Sequence, residues 1–175
     1  GNGNDIALAG NGDDRVDGGA GNDSINGGNG NDTLDGGTGD DAIDGGSGND
    51  SITGGAGNDI INAGGGNDQV VYRADATAGR DRVNGGQGTD TLVLELTAAQ
   101  QANPAFITER AAFSAYLAAG GTGTFTFQSI GLTVTGGFEQ LRVDTIGGPP
   151  VNTAPVVSGA VTLPAQRLSM SALVS

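Results

Sequence analysis

The chain has no cysteine, histidine, tryptophan or lysine, and its only aromatic residues are five phenylalanines and two tyrosines. Each absence closes a route. Without cysteine there is no disulfide framework, thiolate nucleophile or cysteine zinc site. Without histidine there is no Ser-His-Asp or Cys-His catalysis and no paired-histidine zinc helix. Positive charge is scarce, with seven arginines against 20 Asp and Glu for a net charge of −13. That balance repels nucleic-acid phosphates and anionic membranes, and no basic patch offsets it. No apolar run reaches the ~18–20 residues that span a bilayer. The first residues show no charged-then-apolar targeting pattern.

What is abundant is glycine, 35 of 175 residues, together with aspartate. Both are concentrated at one end. Residues 1–71 hold 13 aspartates, one arginine (Arg15) and 22 glycines, whereas residues 72–175 are almost electrically balanced. A segment so charged and so poor in large apolar residues buries too little surface to fold unaided. It is either a disordered tail or a structure completed by something bound.

The residue order decides. GGAGNDSIN (18–26), GGNGNDTLD (27–35), GGTGDDAID (36–44), GGSGNDSIT (45–53) and GGAGNDIIN (54–62) follow one another without a gap. AGNGDDRVD (9–17) precedes them, AGGGNDQVV (63–71) follows, and GNGNDIAL (1–8) is a further copy lacking its first residue. After a four-residue displacement, Tyr72 to Asp75, come a degenerate copy (76–84) and a clean one (85–93). The nine-residue unit is G-G-x-G-x-D-x-U-x, with U apolar. Position eight reads Ala7, Val16, Ile25, Leu34, Ile43, Ile52, Ile61 and Val70 between mostly polar neighbours, the alternation of a very short half-buried strand. The six preceding residues read as a turn, for which glycine supplies positive φ and close backbone approach. Turn and strand, twice over, make an 18-residue coil. Coils stacked ~4.8 Å apart form a short parallel β-roll with one thin aliphatic row on each side of its core.

Stacking sets aspartates of repeats i and i+2 one above the other. Paired carboxylates repel unless a cation lies between them, and a cage of carboxylate and carbonyl oxygens suits Ca²⁺ better than Mg²⁺, which demands tighter octahedral geometry. The eight contiguous turns contain six such pairs, hence about six ions. Asp13, Asp17, Asp35, Asp40 and Asp44, at positions five and nine, read as surface charge.

Over residues 1–71, and more weakly over 76–93, this pattern resembles the RTX (repeat-in-toxin, hemolysin-type) calcium-binding repeat family. The resemblance implies a mainly β fold: a right-handed parallel β-roll over 1–93. It also implies calcium ligands. These are the carboxylates of Asp5, Asp14, Asp23, Asp32, Asp41, Asp50, Asp59, Asp68, Asp81 and Asp90, with main-chain carbonyls of positions one to four. The carbonyl set is Gly1, Gly3, Gly10, Gly12, Gly18, Gly19, Ala20, Gly21, Gly27, Gly28, Asn29, Gly30, Gly36, Gly37, Thr38 and Gly39. It continues with Gly45, Gly46, Ser47, Gly48, Gly54, Gly55, Ala56, Gly57, Gly64, Gly65 and Gly66. Members of the family are typically exported unfolded through type I secretion channels and fold when they meet calcium outside the cell. The sequence departs from the pattern at Ala9, Asn11, Ala63, Ala76 and Thr77, and Arg80 beside Asp81 puts ion binding in that repeat in question.

Beyond the repeats, Asp90 to Leu96 reads as a longer strand. Asn103-Pro104 opens a helix that Gly120-Gly121 stops, and apolar alternation over about 123–143 reads as further strands. Residues 94–146 are thus expected to form a cap over the open end of the roll, where bare strand edges would invite aggregation. Residues 147–175 read as a linker followed by a stretch resembling the opening strand of a bacterial cadherin-like or immunoglobulin-like repeat, or else a secretion signal.

Three functions compete. The first is a non-enzymatic calcium-binding structural module of a secreted or cell-surface bacterial protein of adhesin, toxin or surface-layer type. Its partners would be calcium and a host or matrix surface, or other copies of itself. The second is the calcium-dependent module of a secreted protease or lipase, and the third is a carbohydrate-binding module with an aromatic platform. Glu95, Glu109, Glu139 and Asp144 are the acids available to catalysis outside the repeats; nothing pairs them, and each reads as a surface group. The first reading is preferred.

Overall fold

The computed structural model describes residues 1–74 and 79–146. Ten strands follow the repeat: β1 (Ile6–Asn11), β2 (Arg15–Ala20), β3 (Ser24–Asn29), β4 (Thr33–Thr38), β5 (Ala42–Ser47), β6 (Ser51–Ala56), β7 (Ile60–Gly65), β8 (Gln69–Arg73), β9 (Arg82–Gln87) and β10 (Thr91–Leu96). Helices α1 (Ala98–Gln101) and α2 (Pro104–Ala118) come next, then β11 (Phe125–Phe127), β12 (Leu132–Val134) and β13 (Gln140–Thr145). Alternate strands join opposite sheets. One runs β1-β3-β5-β7-β9-β12-β11 and the other β2-β4-β6-β8-β10-β13, parallel throughout except for the β11–β12 hairpin. The result is a mainly β parallel solenoid of about five turns, with the helices confined to its carboxy-terminal end.

The strands are longer than the sequence pattern suggests. Each runs six residues through most of the roll, from position seven across the repeat boundary to position three, so only positions four to six turn. The glycine pair belongs to the strand because coils stack main chain on main chain there. A Cβ on Gly37, whose φ is +100°, would lie 2.1 Å from the Gly19 carbonyl oxygen. Only a residue without a side chain permits that approach.

Position eight builds the core. Ala7, Ile25, Ile43, Ile61 and Val83 stack in register on one sheet, and Val16, Leu34, Ile52, Val70 and Leu92 on the other. All are buried except Ala7 and Val16, half-buried in the outermost coil. The step between coils is 18 residues up to β8 and 22 across the displaced segment: Asp59 donates its N–H to Asp81, and Asp68 to Asp90.

The cap continues the winding. β12 pairs with β9 and β13 with β10, placing Val134 on Val83 and Leu141 on Leu92, so both aliphatic rows gain a further step. Helix α2 starts at the Asn103 side chain, which accepts the Ala105 N–H, with Pro104 in its first turn. It buries Phe106, Phe113 and Leu117. The Phe113 ring lies 5.0 Å, centroid to centroid, from both Phe125 and Phe127. Tyr72 reaches across with its hydroxyl donating to the Ile130 carbonyl, tying the roll to the cap. The linker and strand read for 147–175 lie outside the described residues.

Candidate metal centre

The position-six aspartates form two columns, one along each edge of the roll. Asp5, Asp23, Asp41, Asp59 and Asp81 make one; Asp14, Asp32, Asp50, Asp68 and Asp90 make the other. Within a column, each carboxylate after the first accepts, through Oδ1, the main-chain N–H of the aspartate one coil earlier, at 2.7–3.0 Å. This bond fixes the rotamer and aims Oδ2 inward. Oδ2 of Asp14, Asp23, Asp32, Asp41, Asp50, Asp59, Asp68 and Asp90 is buried without any hydrogen-bond partner.

The other wall of each gap is main chain. A Cβ on Gly18 would sit 2.5 Å from both Asp23 Oδ2 and the Gly36 carbonyl oxygen. Gly27 stands likewise against Asp32 and Gly45, and Gly36 against Asp41 and Gly54. The missing side chain at position one thus leaves a small polar gap between a carboxylate oxygen and a carbonyl oxygen. The predicted carbonyls of positions two and four face the glycines of the adjoining coil. Those of position three, such as Ala20, Thr38 and Ala56, accept the N–H of a position-four glycine one coil earlier. Ala9 and Ala63 replace the first glycine before Asp14 and Asp68, yet both carboxylates keep the inward Oδ2, so the methyl is accommodated.

Buried carboxylates in this row resist ionisation. Burial pushes Asp59 and Asp90 up to about 6 and Asp81 up to about 7, with neighbouring carboxylates adding to each. Asp41, Asp50 and Asp68 move in the same direction for the same first cause. An oxygen that is buried, charge-prone and unpartnered is costly to leave alone and is relieved by a cation. Among the described residues no three carboxylates converge, so one or two carboxylates and main-chain carbonyls must supply the oxygens. That donor set, oxygen alone, fits a hard divalent ion. Asp5, in the outermost coil, is exposed, whereas Asp81 is buried and joins its column despite the degenerate repeat around it.

Position five carries a second ladder that the sequence reading missed. The side-chain oxygens of Asn4, Asp13, Asn22, Asn31, Asp40 and Asn49 each accept the N–H of position five one coil later. Asp13 and Asp40 are exposed, as surface charge should be, but they also hold adjacent coils together, and the bonds from Asn58 draw the Asp40 carboxyl below its usual range. The signal was present as a run of Asn and Asp at one repeat position. Glu139 is a second omission, since it accepts the Asp90 N–H at 2.8 Å. The phenylalanines read as a possible sugar platform instead lie inside the cap, where Phe106, Phe113, Phe127 and Phe138 are buried.

A solenoid whose turns align carboxylate and carbonyl oxygens in periodic gaps defines a class of cation-accepting repeat protein. The chain belongs to the RTX calcium-binding nonapeptide repeat family, whose four-copy model matches residues 1–34, 35–70 and 73–95, more than half of the chain. No curated protein matches it. No helix among the described residues is long and apolar enough to cross a membrane.

Proposed function

We propose that this chain is a non-catalytic calcium-binding module of a secreted or cell-surface protein of adhesin, toxin or surface-layer type, and that its repeat half folds when calcium enters the gaps. The observation that carries this reading is the set of eight buried, partnerless Oδ2 atoms, each in register with the next. The position-six aspartates and the carbonyls of positions one to four supply the ligands, for about six ions. Calcium supplies the positive charge that lets stacked carboxylates remain ionised.

The setting follows from the affinity that such sites reach. A module that binds at ~100 µM is loaded at the ~1 mM calcium outside a cell and bare at cytosolic levels. At those values each ion stabilises the fold by ~1.4 kcal/mol and six by ~8 kcal/mol, comparable to the whole stability of a typical domain. The chain is therefore unfolded over its repeats during export and ordered after it. Circular dichroism of the chain in chelator and in millimolar calcium tests this, with calorimetry to count ions. A β signal that grows strongly when calcium is added supports it. The same β signal in both buffers refutes it.

A further inference from the structure

We propose that the cap builds one more cation site, at its seam with the roll, and that Glu139 closes it in place of the aspartate that a further repeat would have provided. This rests on the calcium reading above and extends it to a residue outside the repeats.

The register carries the argument. Strand β13 pairs with β10 so that Thr91 faces Gln140, which puts Glu139 directly over Asp90. In the repeats the residue at that place is the next aspartate of the column, and its Oδ1 takes the N–H of the aspartate beneath. Here Oε2 of Glu139 takes the Asp90 N–H at 2.8 Å. The main chain copies the repeat as well: Glu139 and Gln140 both donate to the Asp90 carbonyl, and Gly85 donates to the Gly136 carbonyl. The gap is also present. A Cβ on Gly85 would meet the Gly137 carbonyl oxygen and, at 2.9 Å, Asp90 Oδ2, as one on Gly18 would meet Gly36 and Asp23. Asp90 is fully buried, and its Oδ2 has no partner.

The opposite column shows that this is not a general consequence of capping. There the residue over Asp81 is Leu132, because β12 sets Thr133 on Arg82. That column ends on an aliphatic side chain. Two edges of one cap thus end differently, on an acid over Asp90 and on an aliphatic side chain over Asp81. Glutamate reaches further than aspartate by one methylene. That extra reach suits a seam whose turn, from Gly137 to Gln140, is shorter than the one it replaces, from Gly85 to Thr91.

The composition makes the test specific. All acids of residues 1–93 are aspartates, and the chain has three glutamates, Glu95, Glu109 and Glu139. The whole chain labelled with carboxyl-¹³C glutamate is folded in calcium, and the calcium is then exchanged for strontium. Infrared difference spectra move only for carboxylates that touch the metal. We expect one shifted glutamate band beside the shifted aspartate bands. It should vanish in Glu139→Gln and persist in Glu95→Gln and Glu109→Gln, and calorimetry on Glu139→Gln should find one calcium fewer. Shifted aspartate bands with unmoved glutamate bands in the unsubstituted chain overturn the seam site and leave the calcium reading standing. Unmoved aspartate bands overturn both. If Glu139→Gln does not fold, the unsubstituted chain and the other two variants still decide.

Discussion

Consider Ile52→Ala. Ile52 is completely buried, sandwiched between Leu34 and Val70 in its row. Truncation there removes apolar area and leaves a cavity that the stacked main chains cannot collapse to fill, at a cost of ~3 kcal/mol. If folding is linked to calcium, that loss is recovered by raising the ion concentration, and the amount needed reports how many ions share the task. Near saturation each ion contributes RT times the logarithm of the concentration ratio. With about six ions, ~3 kcal/mol is recovered by a two- to three-fold rise; with a single ion it takes a rise of over a hundred-fold. Calcium titrations of both chains, followed by circular dichroism, give the two folding midpoints. A separation of two- to three-fold supports several cooperating ions along the roll. A separation of two orders of magnitude refutes that, and with it the assignment of ligands to every turn.

Other perturbations address single elements. Asp50→Asn keeps an oxygen to accept the Asp32 N–H but removes the charge facing the gap. It should cost one bound ion by calorimetry and about 1–2 kcal/mol at millimolar calcium; unchanged stoichiometry would remove Asp50 from the ligand set. Gly37→Ala forces a side chain onto a φ of +100° and a Cβ to within 2.1 Å of the Gly19 carbonyl oxygen. Limited proteolysis in calcium should then open the roll around that coil, and a protease-resistant variant would show that stacking is looser than described. The pH response has a definite sign. Because burial raises Asp59, Asp81 and Asp90 from 3.8 to between about 6 and 7, the folded chain without metal holds protons that the unfolded chain releases. Stability in chelator must therefore fall as pH rises from about 4 to about 7, and calcium must act best at the upper end of that range. Circular dichroism in chelator that instead loses β signal on acidification contradicts burial as the dominant cause.

The periodicity of the sequence made the solenoid, its 18-residue coil and the column of inward aspartates legible, because each repeat position has one environment and eight copies repeat it. Strand length was not legible, since glycine marks turns elsewhere and only the stacked main chains show why Gly36 and Gly37 lie in a strand. Asn22 and Asp40 looked like turn residues, and their ladder needs the 18-residue juxtaposition before the acceptor and donor can be recognised. Glu139 was least legible of all. No motif surrounds it, and its place over Asp90 is set by β13 joining β10 across some fifty residues of chain. Information carried by repetition reads directly from sequence, whereas information carried by one long-range pairing does not.

The two halves differ in how they hold together, and this fixes an order of folding. Residues 1–71 bury six position-eight side chains, in a single file on each sheet, and the methyl of Ala63, whereas residues 91–146 bury thirteen apolar side chains, four of them phenylalanines. Each buried large side chain contributes ~1.5–3 kcal/mol, so the shorter segment has the greater hydrophobic stabilisation and needs no ion to gain it. In the repeat half the stacked carboxylates oppose association until they are neutralised. The cap with β10 should then be ordered first, and it presents β12 and β10, in register, as the edges on which β9 and β8 wind and bind calcium, coil by coil toward β1. Hydrogen exchange on the whole chain in chelator should show protected amides in α2, β11 and β13 and unprotected ones from β1 to β7, with protection spreading toward β1 as calcium is added. Simultaneous protection of every strand at one calcium concentration would leave the order unsupported. Protection arising first at β1 would reverse it, because the coil with Ala7 and Val16 at its centre and exposed Asp5 at its edge has the least apolar contact from which to start.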